Sequence, residues 1–219
     1  MPHASRNVAV IGLGSFGGSV ARELSRFGDH VLGIDDSEAR VSALSDTLYR
    51  AVIADARDER AMEEAGLGNY DAVVVAMASN LETSVLSCMN ARQAGVKEIW
   101  AKASSTTHAR ILESIGVDRI VQPEHEFGEH IAHMLHNAAM QEYIRLAPHL
   151  HLATIRVGGE RVGEDLDDLK LLDRHELRCL GLVRAGSYVD CADKTALAEG
   201  DTLLVVGTRE NMRAFAEKL

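Results

Sequence analysis

Over its first 120 residues the chain alternates short β-branched runs with amphipathic stretches. The apolar runs fall at residues 8–11, 30–34, 51–53, 72–75, 98–100 and 119–121. This beat predicts repeated strand–helix–strand units, and therefore a doubly wound α/β fold around a parallel sheet of six strands. Glycines close the intervening helices. Gly28, Gly66, Gly95 and Gly116 each follow an apolar helical segment, where a left-handed cap ends a helix.

Pro123 breaks the pattern, and a longer helix is predicted from about residue 128 to 142, with Ile131, Leu135 and Ala138 on one face. An apolar stripe on a connector needs a covering partner, which predicts a homo-oligomer with two-fold pairing. Beyond Pro148 the texture changes to strand-like runs at 152–157, 179–183 and 202–206. Turn pairs stand at Gly158-Gly159 and Ala185-Gly186, and a closing helix starts near Arg209. The expected organisation is a nucleotide-binding domain over 1–126, a crossover or connector helix over 127–148, and a small α+β domain over 149–219.

Composition narrows the function. At 219 residues and 46% hydrophobic content, the chain has material for a core in each part. Lys plus Arg number 23 against 33 Asp plus Glu, and the excess of acid runs through both parts. A phosphate-backbone binder needs a cationic surface, so no nucleic-acid partner is expected. Cys88, Cys179 and Cys191 are scattered and odd in number, which fits a reducing cytosol and small buried side chains. No basic start with an apolar run opens the sequence, and the longest apolar stretch, residues 72–78, is far below the roughly 20 residues that cross a bilayer. A cytoplasmic location follows as the expectation.

Gly12-Leu13-Gly14-Ser15-Phe16-Gly17 is a G-x-G-x-x-G between a predicted strand and a predicted helix at about residues 19–27. In that context Gly12 permits the tight turn, Gly14 lets a diphosphate approach the backbone, and Gly17 lets helix and strand pack closely. The helix N-terminus adds free N–H groups and partial positive charge. Asp35 ends the second strand 23 residues after Gly12, where a carboxylate accepts hydrogen bonds from a ribose diol and repels a 2′-phosphate. Together they predict a Rossmann dinucleotide-type site. Asp55 and Met77-Ala78-Ser79 fall after the third and fourth strands, at the ligand edge of such a sheet. Asp55 equally suits a cap for the next helix. Lys102 and Glu124 follow the fifth and sixth strands, where a lysine meets phosphate, a glutamate holds a divalent ion, or both are solvated loop charges.

Glu129, His133 and His136 share one helix face in a region that also carries His125, Glu126 and His130. A polar face opposite the apolar stripe explains this spacing better than a metal site. Catalytic signatures are absent: none of the four tyrosines begins a Tyr-x-x-x-Lys pair, and no nucleophile elbow appears. A ligand-gated regulator is therefore favoured over the alternative, an NAD(H)-dependent oxidoreductase.

The run from Val8 through Ser19, with Ile34-Asp35, the segment 52–56 (VIADA), the segment 100–103 (WAKA) and the segment 115–124 (IGVDRIVQPE), resembles the Ktr/Trk potassium-uptake regulatory subunits. The resemblance implies two domains of the kind that regulate potassium conductance. It also implies dimers assembled into an octameric ring on the inner face of the cell membrane, beneath a membrane-embedded potassium-translocating subunit, with ATP and ADP, or NAD(H), reshaping the ring. It implies phosphates held by Gly12 to Gly17 and ribose and base edges at Asp35, Asp36, Ser37, Asp55 and Ala56. Adenine surroundings are implied at Met77, Ala78 and Ser79, and a further wall at Lys102, Ala103, Ser104 and His108. Glu124 would face the nucleotide across a dimer interface, directly or through a divalent cation such as Mg or Ca. Relatives also bind a cyclic dinucleotide in the C-terminal domain, in a segment corresponding to about 166–184. Ser15 stands where relatives carry an arginine that reaches the terminal phosphate of ATP.

Overall fold

The computed structural model describes residues 5–77, 80–190 and 195–217, and the chain divides into two compact units, 1–124 and 125–219. Among the described residues no helix is long and apolar enough to cross a membrane.

In the first unit β1 (Asn7–Ile11), β2 (His30–Asp35), β3 (Arg50–Ile53), β4 (Ala72–Val75), β5 (Glu98–Lys102) and β6 (Arg119–Val121) form one parallel sheet in the order β3-β2-β1-β4-β5-β6. The crossovers carry α1 (Ser15–Arg26), α2 (Glu38–Ser42), α3 (Glu59–Glu64), α4 (Leu81–Gln93) and α5 (Thr106–Ser114). β1 is central, and its alternating side chains serve two cores. Ala9 and Ile11 pack with Leu32, Ile34, Val73 and Ile99, whereas Val10 packs with Leu13, Ala21 and Val31. Burial on both faces is why the strands read as continuous apolar runs. The doubly wound parallel sheet predicted from the periodicity is the one observed.

The first helix begins at Ser15, four residues before the expected start, and takes Gly17 and Gly18 into its first turns. Glycine is a poor helix former, so propensity hides this start; close packing on the β1 end overrides it.

The second unit begins within α6 (Pro123–His136). That helix starts earlier and ends earlier than its periodicity predicts, and residues 140–147 are strand, not connector helix. The cause is local. Pro123 occupies the first helical position, where its missing N–H costs nothing. Asn137 ends the helix: its Oδ1 accepts from the Ala139 N–H at 2.9 Å and its carbonyl from the Met140 N–H at 3.0 Å, a turn that competes with helix continuation.

The chain then forms β7 (Met140–Ala147) and β8 (Leu150–Arg156), followed by α7 (Leu171–His175), β9 (Arg178–Arg184), β10 (Ser187–Asp190), β11 (Thr202–Gly207) and α8 (Arg209–Ala216). The five strands make an antiparallel sheet in the order β10-β9-β11-β8-β7. Of segment 166–184, strand-like in its hydrophobic texture, only β9 is strand; 166–177 forms two short helical pieces, because Lys170 and Glu176 take left-handed φ values of 44° and 53° and turn Leu166, Leu169, Leu171 and Leu177 inward.

Within α6 no residue is buried, and Leu135 stays 82% exposed. Asp201, by contrast, is fully buried, and holds β9 to the β11 entry: Arg184 donates to both carboxylate oxygens at 2.8 and 2.6 Å, and the Ala198 N–H donates at 2.8 Å. The Arg184 hydrogen bonds outweigh burial and keep this carboxyl below its usual range. Asp201→Ala is expected to destabilise the protein by about 2–3 kcal/mol, because charge-assisted bonds are lost from a buried site. Urea unfolding measures it, and an unchanged midpoint would show that the pair is dispensable.

Candidate functional site

In the first sheet the strand order reverses between β1 and β4, and doubly wound folds open their ligand crevice at the carboxyl ends of strands there. The turn leaving β1 occupies that place. Gly12 sits at φ +90°, and its N–H donates to the Ile34 carbonyl at 2.8 Å. A Cβ on Gly17 would lie 1.9 Å from the Gly12 carbonyl oxygen and 2.8 Å from Ala76 Cβ, so only glycine lets α1 dock on the turn. Gly14 is different. Nothing lies within 4 Å of where its Cβ would be, which leaves that side of the backbone open.

Gly14 is also the N-cap of α1 and gives it no side-chain cap, and the first turn carries no acidic residue. The first N–H groups and the dipole of α1 thus remain available to an anion. Ser15 is exposed and Phe16 half-buried. Lys102 Nζ lies 5.5 Å from the Phe16 ring centroid and is paired with Glu124, so the structure brings the charges after β5 and β6 beside the turn. The hydrogen bond from Lys102 holds the Glu124 carboxyl below its usual range.

Asp35 is fully buried at the end of β2. Its Oδ2 accepts from the Leu13 N–H at 2.7 Å and lies 3.4 Å from Arg40 Nη1, while its Oδ1 accepts from the Ser37 N–H at 2.9 Å. Burial pushes its pKa up, but the Ser37 and Leu13 bonds and the Arg40 charge outweigh that, and the group is more acidic than a free aspartate. The carboxylate therefore tethers the glycine turn, and offers a ribose only its remaining lone pairs. Asp36, beside it, is exposed.

Asp55 does not cap the next helix. Asp58 does, accepting from the Arg60 and Ala61 N–H groups at 2.9 and 3.4 Å. Asp55 instead holds Arg57, whose Nε and Nη2 donate at 2.9 and 2.6 Å. Ala56 is buried, its carbonyl bonded by Asn90 Nδ2 at 2.9 Å. Met77 packs beneath the turn, its Cγ 2.7 Å from where a Gly12 Cβ would be. Ala78 and Ser79 lie outside the described residues.

Ala103 is buried and Ser104 exposed. His108 is no open wall: it is 4% exposed, with the Ser104 N–H donating to Nδ1 at 3.3 Å and Nε2 lying 3.1 Å from Ser84 Oγ. Because Nδ1 accepts, Nε2 carries the proton and donates to Ser84, and burial lowers the pKa of the ring. The sequence reading missed Arg40 and Arg57, although each follows an acid by a few residues at a strand end. Among the described residues no group of three His, Cys, Asp or Glu side chains is placed to hold a metal.

Two outcomes follow. Gly14→Ala should fold with nearly wild-type stability, whereas Gly17→Ala should lose about 1–3 kcal/mol through forced overpacking; thermal melts of the pair check this, and equal melts would refute the packing argument. Stability should also fall as pH drops through the ordinary histidine value of 6.5 toward the lowered value of folded His108, because the unfolded chain takes up the proton first. His108→Asn should flatten part of that slope in pH-dependent urea titrations.

Comparison with known proteins extends the geometry. The TrkA-N domain family matches residues 8–123 and the TrkA-C domain family matches residues 150–219. The Ktr system potassium uptake protein A of Vibrio alginolyticus is 33% identical over 213 residues, covering 97% of each chain. Its Bacillus subtilis (strain 168) counterpart is 31% identical and covers 96% of each. The solved GsuK channel bound to NAD shares the fold, with a TM-score of 0.64 at 15% identity over 97% of this chain and 39% of that one. Matched by both domain families and aligned nearly end to end with the Ktr A proteins, this chain belongs to the TrkA-N/TrkA-C family of potassium-uptake proteins.

Proposed function

We propose that this chain is a cytoplasmic regulatory subunit that binds an adenine nucleotide, without consuming it, and gates potassium uptake by a membrane-embedded translocating partner. The observation that carries the reading is the glycine turn: an open backbone at Gly14, uncapped N–H groups at the start of α1, and Lys102 beside Phe16. These features fit a diphosphate. Asp35 and Ser37 would orient the ribose, Asp36, Asp55 and Ala56 would flank the base edge, and Met77, Ala78 and Ser79 would surround the adenine. Lys102, Ala103 and Ser104 would form the opposite wall over a buried His108. Glu124 would reach the phosphates through a divalent cation.

The names of the relatives supply the potassium-uptake context, and the NAD-bound GsuK channel supplies precedent for a nucleotide on this fold. Regulation then needs only differential affinity: a nucleotide that binds two shapes of an assembly unequally shifts their populations. The exposed face of α6, with Phe127 at 64% and Leu135 at 82%, is the surface on which dimers would close and build a ring.

Co-purification with the potassium-translocating subunit in detergent, followed by nucleotide titration, tests the whole reading. Failure to bind any of ATP, ADP, NAD+ and NADH would overturn it. A sharper outcome concerns Ser15. With no cation there, the third phosphate depends on Lys102 and a divalent ion, so wild type should separate ATP from ADP weakly when metal is withheld. Ser15→Arg should strengthen ATP binding by about 1.5–3 kcal/mol and leave ADP nearly unchanged. Calorimetry showing wild type already preferring ATP about a hundredfold (roughly 2.7 kcal/mol) without divalent ions would refute the argument.

A further inference from the structure

The second unit contains a cavity of about 260 Å³ between the last turns of α6, the β7–β8 hairpin and the start of α8. Its lining includes Glu129, His133, Tyr143, Arg145, His151 and Arg209. A neighbouring cavity of about 350 Å³ shares Glu129, His133, Tyr143 and Arg209 with it. Tyr143 stands in a column of three rings, 4.3 Å from His133 and 5.0 Å from His151 between centroids.

Tyr143 and His151 are 8% and 7% exposed, and among the described residues neither the Tyr143 hydroxyl nor His151 Nδ1 has a hydrogen-bond partner. Buried polar atoms are almost always bonded, so two orphans on side chains of residues that line one cavity point to a group that arrives from outside. The charges say what kind. Arg145 and Arg209 line the same space, and neither forms a salt bridge among the described residues. The start of α8 adds N–H groups: Thr208 Oγ1 caps the Asn211 N–H at 3.3 Å, and the N–H groups before it have no partner within the helix. A hydroxyl donor, two guanidinium groups and a helix N-terminus suit an oxyanion. Glu129 and Glu210 also line the cavity and limit the charge that it takes. A metal cation is not the fit, since no three ligating side chains converge among the described residues.

We infer that this cavity is a second ligand site, separate from the glycine turn, that takes a small oxyanion: a phosphate or a carboxylate. Tyr143 and Arg209 would contact it, with His151 completing the set. Burial and the adjacent arginines lower the pKa of both His133 and His151. An anion would reverse part of that shift, so binding should take up protons and tighten as pH falls toward 6. The groups that face these rings and enter the balance are Glu129, Glu210, Arg145, Arg209, His136 and His149.

The test is calorimetry of the full chain with inorganic phosphate, sulfate and acetate, in wild type, Tyr143→Phe and Arg209→Ala. Tyr143→Phe keeps the ring column and removes only the hydroxyl. The expected result is millimolar or tighter binding of at least one anion, weakened roughly tenfold or more by each substitution, with ADP binding unchanged. Preference for phosphate and sulfate over acetate identifies a tetrahedral ligand, and the reverse a carboxylate. Absence of binding by all three anions, or binding that both variants retain in full, overturns the inference: in the first case water alone fills the cavity, and in the second the anion sits on the glycine turn. Neither result bears on nucleotide binding at the turn.

Discussion

In the first unit α1 packs so closely on the turn that precedes it that no side chain fits at residue 17. The Gly12 carbonyl stands where any side chain on residue 17 would begin, so helix and strand meet backbone to backbone. From that contact the rest follows. The α1 N-terminus is aimed across the turn, Gly14 is left bare on the outer side, and Leu13 is pushed inward to donate its N–H to Asp35. The Asp35 tether then ties the turn to β2, and Arg40 and Ser37 tie Asp35 to the start of α2. A turn tied down on both sides in this way would reduce the ordering cost of binding a ligand there.

The two units solve the burial of a carboxylate in the same way. Asp35 and Asp201 are each without side-chain exposure; Asp35 accepts from two backbone N–H groups and faces Arg40, and Asp201 accepts from one backbone N–H and twice from Arg184. Desolvation of an ion is costly, and a single partner seldom offsets it; several fixed donors do. The contrast is the Tyr143 hydroxyl and His151 Nδ1, whose burial has no such compensation among the described residues. Polar groups satisfied from within hold a fold together, whereas the orphaned pair is the feature on which the proposed second site rests.

Much of the first unit was legible because its strands are buried on both faces. A continuous apolar run followed by a helix and a glycine leaves few alternatives, and the six strands fall where the runs do. The second unit was less legible for physical reasons. β7 is an edge strand with only Met140 and Tyr143 buried, so it lacks a strong alternation, and its preceding helix buries nothing at all. What ends that helix is one asparagine side chain, a signal that periodicity does not weigh. At the site, the motif located the turn and Asp35, but not how Asp35 is used: whether a carboxylate faces solvent or the backbone depends on the position of Leu13, which is a tertiary fact. Arg57 and Asp58 illustrate the same limit, since the acid that caps α3 and the acid that binds the arginine are three residues apart and interchangeable by composition.

The Lys102–Glu124 pair joins the site to the start of α6. Lys102 is held with little exposure beside Phe16, while Glu124, in the first turn of α6, keeps 69% of its side chain exposed. A phosphate on the glycine turn would compete with Glu124 for the one ammonium group. One ammonium charge would then be shared between the Glu124 carboxylate and a phosphate, so on the proposed reading either Glu124 would move away or a divalent cation would be held beside it to balance the added negative charge. The two outcomes leave the first turn of α6 in different electrostatic surroundings. A nucleotide with one more phosphate would present more negative charge to the same lysine and would shift the balance toward the arrangement with a cation. On the proposed reading, occupancy and phosphate number would be felt at the start of α6 with no covalent bond made or broken, as regulation without catalysis requires.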